Sequence, residues 1–499
     1  WLQAGVGGHP LLVVGAMGLD PALEQKLRVH DDEEVRRGGQ ILERWSDVCD
    51  DDVPRKCQDC AWAFLFLLTG GFLLMLALDP RAVDKFDGNS KYMNPLLAST
   101  VVSAITAVAL LHVAKSCTEA FIYTALLFGP TLTIVVGCVL LAAWGLPLLA
   151  RLMGLAIIAV GLCGLFCALL CWRHLIPFTV LIIKTVTDVI EKHASMIGLA
   201  FLGCLLMSIW CVICACGLAA VYLLHAHRIN NFHESVPVAG EVILFVNCFI
   251  AFWGAAVVAG SCQVAACGVF GRWYFCRDDA SPVSKSTRVA FTTSFGSVCF
   301  GSAAIAFFQA LEAVARSVRR QAQEDCNVVV CIVALILESI IACIGSIVEW
   351  FCTFSYVQCA IRGVGLLDAA RITYSLCTYA NIDLIISSWL VDTVVNFGTL
   401  LCGVAGGVGS LALGSGTGAL LPGFIIGGLV GASTLQLLRS GAVTMCVCWA
   451  EFPDALSTLR PELHHNFCLA IAGWNEEATE MSAAGGGSAQ EATAPEQQS

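Results

Sequence analysis

Three carboxylic acids sit where a carboxylate is hardest to keep: Glu338 and Glu349 in the apolar run 328–351, and Asp392 in the run 384–413. An ionised side chain at the centre of a bilayer costs about 2.5 to 3.5 kcal/mol on insertion scales, so such groups turn toward a bundle interior or a watery cavity and take a cationic partner. The chemistry they offer is binding, either of a cationic solute or of a proton. Gln309 and Glu312, three residues apart and therefore on one helix face, add a polar pair near the end of the run 291–314.

The elements that must hold these groups are membrane helices. Of 499 residues, 58% are hydrophobic and only 13% charged, with a mean hydropathy of +0.79, far from soluble globular values. A helix needs about 20 apolar residues to cross the hydrocarbon. Runs of that kind fall at 61–78, 95–114, 120–144, 148–172, 195–224, 242–270, 291–314, 328–351, 384–413 and 419–449. Between them, 173–194 sets Leu175, Val180, Ile182, Ile183, Val186 and Ile190 against Lys184, Asp188, Glu191 and Lys192, the pattern of an interfacial amphipathic helix. The half-apolar segment 352–377 reads equally as re-entrant or interfacial. The fold class is all-α: a polytopic membrane protein of about ten transmembrane helices with one or two interfacial helices.

Three regions follow. Residues 1–56 form a water-facing, partly disordered arm with one short helix at 33–45; 57–455 form the transmembrane domain; 456–499 form a tail that is disordered toward its end. Ten crossings put both termini on one side. The majority of the 27 Lys and Arg fall on that side, which makes both termini cytosolic, although Arg316, Arg319 and Arg320 fall on the other. The net charge of −11 is concentrated toward the ends and gives no reason to expect nucleic acid as a partner. Most of the 27 cysteines lie in apolar runs and read as small buried hydrophobes.

The stretch 262–311, CQVAACGVFGRWYFCRDDASPVSKSTRVAFTTSFGSVCFGSAAIAFFQAL, carries the most information. An apolar helix ends at Trp273, Tyr274 and Phe275, which read as an aromatic belt; a basic loop follows, and a new helix opens with the pairs Gly296-Ser297 and Gly301-Ser302. Those four read as packing residues, because Ser297 and Gly301 have the small-xxx-small spacing that brings helix backbones together, with a lining or gating role as the alternative. The succession G-x-F-x-x-W-Y-F, polar loop, S-F-G-S-x-C-F-G-S resembles the signature of the choline transporter-like family. RKCQD at 55–59 resembles the same family ahead of its first span, as do IVEWFCTFSYVQCAIRG at 347–363, Val391-Asp392 with Gly398, and CWAE at 448–451 with Pro453-Asp454. The short loop 79–94 resembles fungal and plant members. Thr399 and Phe452 depart from the family pattern, which has a lysine and an acid there.

The resemblance implies a secondary transporter of choline or a related small organic cation, seated in the plasma membrane, with the lipid bilayer and a small cationic substrate as its partners. A quaternary ammonium cannot donate an ordinary hydrogen bond, so its site needs aromatic faces, each worth roughly 0.5 to 2 kcal/mol, and a carboxylate. The candidate rings are Trp253, Trp350, Tyr356 and Trp389; the candidate polar groups are Gln309, Glu338, Glu349 and Asp392. Glu338 or Glu349 is also available to couple a counter-moving proton. Two rival readings stand beside this one: a transporter of another solute or a lipid-handling protein of the same fold, and a non-transporting membrane scaffold that acts through its ends. Nothing in the sequence points to an enzyme. The cluster Gly403, Gly406, Gly407, Gly409 follows no strand and precedes no Lys-Ser/Thr. The pair Cys57-x-x-Cys60 has no companion pair for a metal, and no cofactor motif or nucleophile elbow is present.

Overall fold

A computed structural model describes residues 56–78, 93–142, 148–229, 237–276, 279, 281–325, 328–379, 382–412 and 417–471. The helix expected at 33–45 and the tail beyond 471 lie outside them. In chain order the helices are α1 (Cys60–Ala77), α2 (Met93–Ser116), α3 (Thr118–Ala142), α4 (Leu148–Phe166), α5 (Ile176–Lys192), α6 (Ser195–Ile229), α7 (Pro237–Phe275), α8 (Pro282–Phe291), α9 (Phe295–Glu324), α10 (Val328–Arg362), α11 (Leu366–Tyr379), α12 (Ile382–Ala412), α13 (Leu420–Glu451), α14 (Pro453–Leu459) and α15 (461–471). Ten of them, α1, α2, α3, α4, α6, α7, α9, α10, α12 and α13, are long and apolar enough to cross a membrane. Helices suit this role because lipid offers no partner to an open N–H or C=O, so each crossing must close its own backbone bonds.

Successive crossings alternate in direction. The start of α1, the α2–α3 turn and the last turns of α7, α10 and α13 therefore share one end of the bundle, called here the near end. The short helices α5, α8, α11, α14 and α15 gather there too. Large apolar side chains such as Phe64, Met75, Leu152, Val329 and Ile336 point outward, toward lipid, while α7 and α13 run through the middle of the bundle.

Close packing in the middle rests on small residues. The glycine cluster of α12 is a helix contact: a Cβ on Gly406 would lie 2.6 Å from the Gly423 carbonyl and 2.8 Å from the Gly427 Cα on α13. Hydroxyls of α2 tie into the same seam, Ser99 donating to the Gly423 carbonyl at 2.7 Å and Ser103 to the Cys402 carbonyl at 3.1 Å.

Two segments that hydropathy left open take definite form. The amphipathic run at 173–194 becomes α5, whose apolar face, including Phe178, Ile182, Ile183 and Val186, is buried against α2, α3, α12 and α13. On its other face Asp188 and Glu191 meet Lys115, the last-turn lysine of α2, at 2.8 and 2.6 Å. The segment 352–377 is neither one re-entrant loop nor one interfacial helix. Its first half completes α10, the chain turns at Gly363 with φ of 65°, and the second half is α11. Glycine adopts that left-handed backbone with no steric cost.

Candidate functional site

Five membrane helices line a half-open cavity of about 280 Å³. The middle of α7 makes it possible: Phe252, Ala255, Ala256, Ala259, Gly260 and Gln263 recur every three or four residues and so form one stripe, and four of the six are too small to fill the space they face. Opposite this stripe, α9 supplies Ile305 and Gln309, α10 supplies Glu349, Thr353 and Tyr356, α13 supplies Gln436 and Arg439, and Met207 comes from α6. Apart from α6, which contributes Met207 alone, each helix contributes residues at i, i+3 or i+4, the spacing of a single face.

The polar groups differ in what already engages them. Gln263 donates to the Thr353 carbonyl at 3.3 Å. The Tyr356 hydroxyl donates to the Val298 carbonyl at 3.3 Å and lies 3.3 Å from the Ser302 hydroxyl. By contrast, no described residue forms a hydrogen bond or ion pair with the Glu349 carboxylate, or a hydrogen bond with the side-chain amides of Gln309 and Gln436. Arg439 has a counter-charge behind it, its Nε lying 2.9 Å from Asp392 Oδ1 on α12. Neither atom has another hydrogen-bond partner among the described residues. The cavity thus presents a lone carboxylate, two open carboxamides, a tyrosine and a guanidinium that is neutralised from behind. That arrangement suits a small solute carrying one positive charge and a polar group.

The residues singled out from sequence divide sharply. Gln309, Glu349 and Tyr356 line the cavity, and Asp392 stands one layer behind it. Trp253 does not reach it: the ring is 3% exposed, donates from Nε1 to the Cys299 carbonyl at 2.9 Å and packs edge-on against Phe66. The reason is phase, since Trp253 neighbours the lining residue Phe252 but points about 100° away around the helix. Trp350, beside Glu349, turns likewise to Phe354, with ring centroids 4.7 Å apart. Trp389 is 49% exposed and meets only Trp172 edge-on among the described rings. Glu338 belongs to the far end, where Arg316 and Arg319 of α9 hold it at 3.2 and 2.7 Å. Two of the three arginines that fell on the wrong side of the charge count, Arg316 and Arg319, are these partners.

The small residues of α9 meet two different neighbours. Gly296 lies flush against the chain leading into α1, where a Cβ would come 2.2 Å from the Gln58 carbonyl. Ser297 donates to Asp59 at 2.7 Å, and the same Asp59 oxygen accepts the Leu366 amide of α11 at 3.0 Å. Gly301 and Ser302 instead face Tyr356. The aromatic triplet that ends α7 is not a lipid belt. Tyr274 is fully buried and donates to the Phe452 carbonyl at 3.0 Å, Phe275 is buried, and Trp273 lies under the Arg460 guanidinium at 3.8 Å. These rings are covered because α14 and its flanking residues Phe452 and Arg460 fold back over the near end. Beside them, the buried Arg362 pairs with Glu451, and Gln358 bonds to both.

A sequence model of the family described as "Plasma-membrane choline transporter" matches residues 156–454, well over half of the chain. The chain belongs to that family. Every residue lining the cavity lies inside the matched segment. A CTL-like protein of Dictyostelium discoideum is 25% identical over 440 residues, covering 83% of this chain and 75% of the relative. The protein PNS1 of Eremothecium gossypii is 26% identical over 453 residues, covering 82% of this chain and 80% of its own length. Membership makes this an integral membrane protein of a transporter family.

Arg439, Gln436, Gln263, Thr353 and Phe252 did not stand out from the sequence. For Arg439 a signal was available, since it is a charged residue within the apolar run of α13 and falls under the same rule that picked out Glu338 and Asp392. The glutamines and the threonine carry no such mark, because neutral polar residues occur throughout membrane helices as interhelical hydrogen-bond donors.

Proposed function

We propose that the chain is a secondary transporter that moves a small monovalent organic cation, choline or a close relative, through the cavity between α6, α7, α9, α10 and α13. The observation that carries this reading is the Glu349 carboxylate, which faces a cavity between membrane-spanning helices with no cationic partner of its own among the described residues. Keeping a carboxylate in such a place is costly unless a cation arrives to meet it. The nearby carboxamides suit the hydroxyl of an amino alcohol. On this reading the near end, with most of the basic residues, faces the cytosol, and the membrane is the plasma membrane. The potential alone then supplies about 2.3 kcal/mol per charge per 100 mV, enough for roughly a 45-fold accumulation.

Uptake of radiolabelled choline into proteoliposomes with an inside-negative potential tests this directly. Saturable uptake is expected, with Glu349→Gln weakening it about tenfold or more and Glu338→Gln, whose carboxylate is engaged far from the cavity, leaving it unaltered. Absence of saturable uptake by the wild-type chain across a range of pH refutes the reading.

A further inference from the structure

We propose that the Arg439–Asp392 pair sets the net charge of the cavity, so that Glu349 alone selects one positive charge; Asp392 acts on Arg439 and does not touch the solute. This inference rests on the cation-transporter reading and adds to it a residue that determines specificity.

Arg439 lines the cavity, whereas Asp392 does not. Around the cavity stand two carboxylates, Glu349 and Asp392, and one guanidinium, Arg439. With Asp392 cancelling Arg439, a single negative charge remains for the solute. Without Asp392, the guanidinium would cancel Glu349 across the cavity, and the site would have no net preference for a cation. The pair's closest atoms are 2.9 Å apart, and each side chain is 26% exposed. Gln436, one turn earlier on the same face of α13, also opens into the cavity. The pair therefore sets the charge that Arg439 presents to the cavity.

The test compares binding of choline with binding of its uncharged isostere 3,3-dimethylbutan-1-ol, which has the same shape, to the full chain in lipid nanodiscs. The ratio of the two affinities measures charge selection independently of the amount of folded protein. The wild type is expected to prefer choline. Asp392→Asn is expected to lose that preference by about tenfold or more, the order supplied by one unit charge several ångström away in a low-dielectric site. The double variant Asp392→Asn with Arg439→Gln, in which Glu349 again stands alone, is expected to return toward the wild-type ratio. A wild-type ratio in Asp392→Asn, or a double variant no more selective than Asp392→Asn, overturns the proposal. If Asp392→Asn does not fold, the double variant is compared with the wild type: an equal ratio supports the proposal and a lost one overturns it. A wild type that binds no choline fails earlier, at the transporter reading itself, and removes this inference with it.

Discussion

Gly301→Ala is the sharpest probe of how α9 and α10 are fitted together. A Cβ built on Gly301 would lie 2.6 Å from the Tyr356 hydroxyl oxygen, 3.0 Å from Cε1 and 3.1 Å from Cζ. Tyr356 is 2% exposed and its hydroxyl is engaged by Val298 and Ser302, so the ring has no easy retreat. Two effects compete. Replacing a mid-helix glycine by alanine favours the helix by about 1 kcal/mol, while forcing a methyl group into a filled contact costs about 1 to 3 kcal/mol. The net expectation is a loss of about 0 to 2 kcal/mol. The decisive quantity is the coupling to Tyr356→Phe. Alone, that variant forfeits a hydroxyl with two long contacts, costing about 0.5 to 1.5 kcal/mol. Combined with Gly301→Ala it removes the nearest obstructing atom, so the double variant is expected to be more stable than the sum of the singles by about 1 kcal/mol. Thermal unfolding of the full chain in detergent reads the cycle, and choline affinity reads the displacement of a cavity-lining ring. Strict additivity, or a Gly301→Ala chain stabilised by the whole propensity gain, refutes the fitted contact.

Three further expectations concern the near end. Arg362→Met strands the buried Glu451 and is expected to cost about 3 to 5 kcal/mol, whereas replacing Arg362 and Glu451 together by methionine costs less, because no charge is then left without its partner; unfolding in detergent separates the two. Asp59→Ala removes the acceptor shared by Ser297 and the Leu366 amide and is expected to cost about 2 kcal/mol. Asp59→Asn costs less, since asparagine tolerates the positive φ of 49° found there; equal losses for the two variants in thermal unfolding would count against the backbone part of that account. Asp279, between α7 and α8, is pushed up by burial, but Lys285, the Ser281 amide and Arg272 outweigh this and hold its carboxyl below the usual range. A depressed carboxyl stabilises the fold above its unfolded-state value, near pH 4, and the benefit is lost as pH falls through the folded value. Asp279→Asn should therefore flatten the acid limb of a stability profile, and an unchanged limb would show that Asp279 contributes nothing to it.

Ten spans, their order and the family could all be read from the sequence, because hydropathy is a local sum and the bilayer imposes one length on every crossing. Glu349 and Asp392 could be read too, since a charge in hydrocarbon is conspicuous wherever it falls. Three features needed the tertiary structure. The first is helix phase: Trp253 and Phe252, or Glu349 and Trp350, are neighbours in the chain, yet only one of each pair faces the cavity. The second is coverage: the rings of 273–275 resembled a lipid belt until α14, with Phe452 and Arg460 at its two ends, folded over them. The third is partnership. Sequence shows that Glu338, Glu349 and Asp392 are each expensive to bury, but not that arginines engage the first and last and leave Glu349 open. A charge announces itself along the chain, whereas what neutralises it is decided only by which helices pack together.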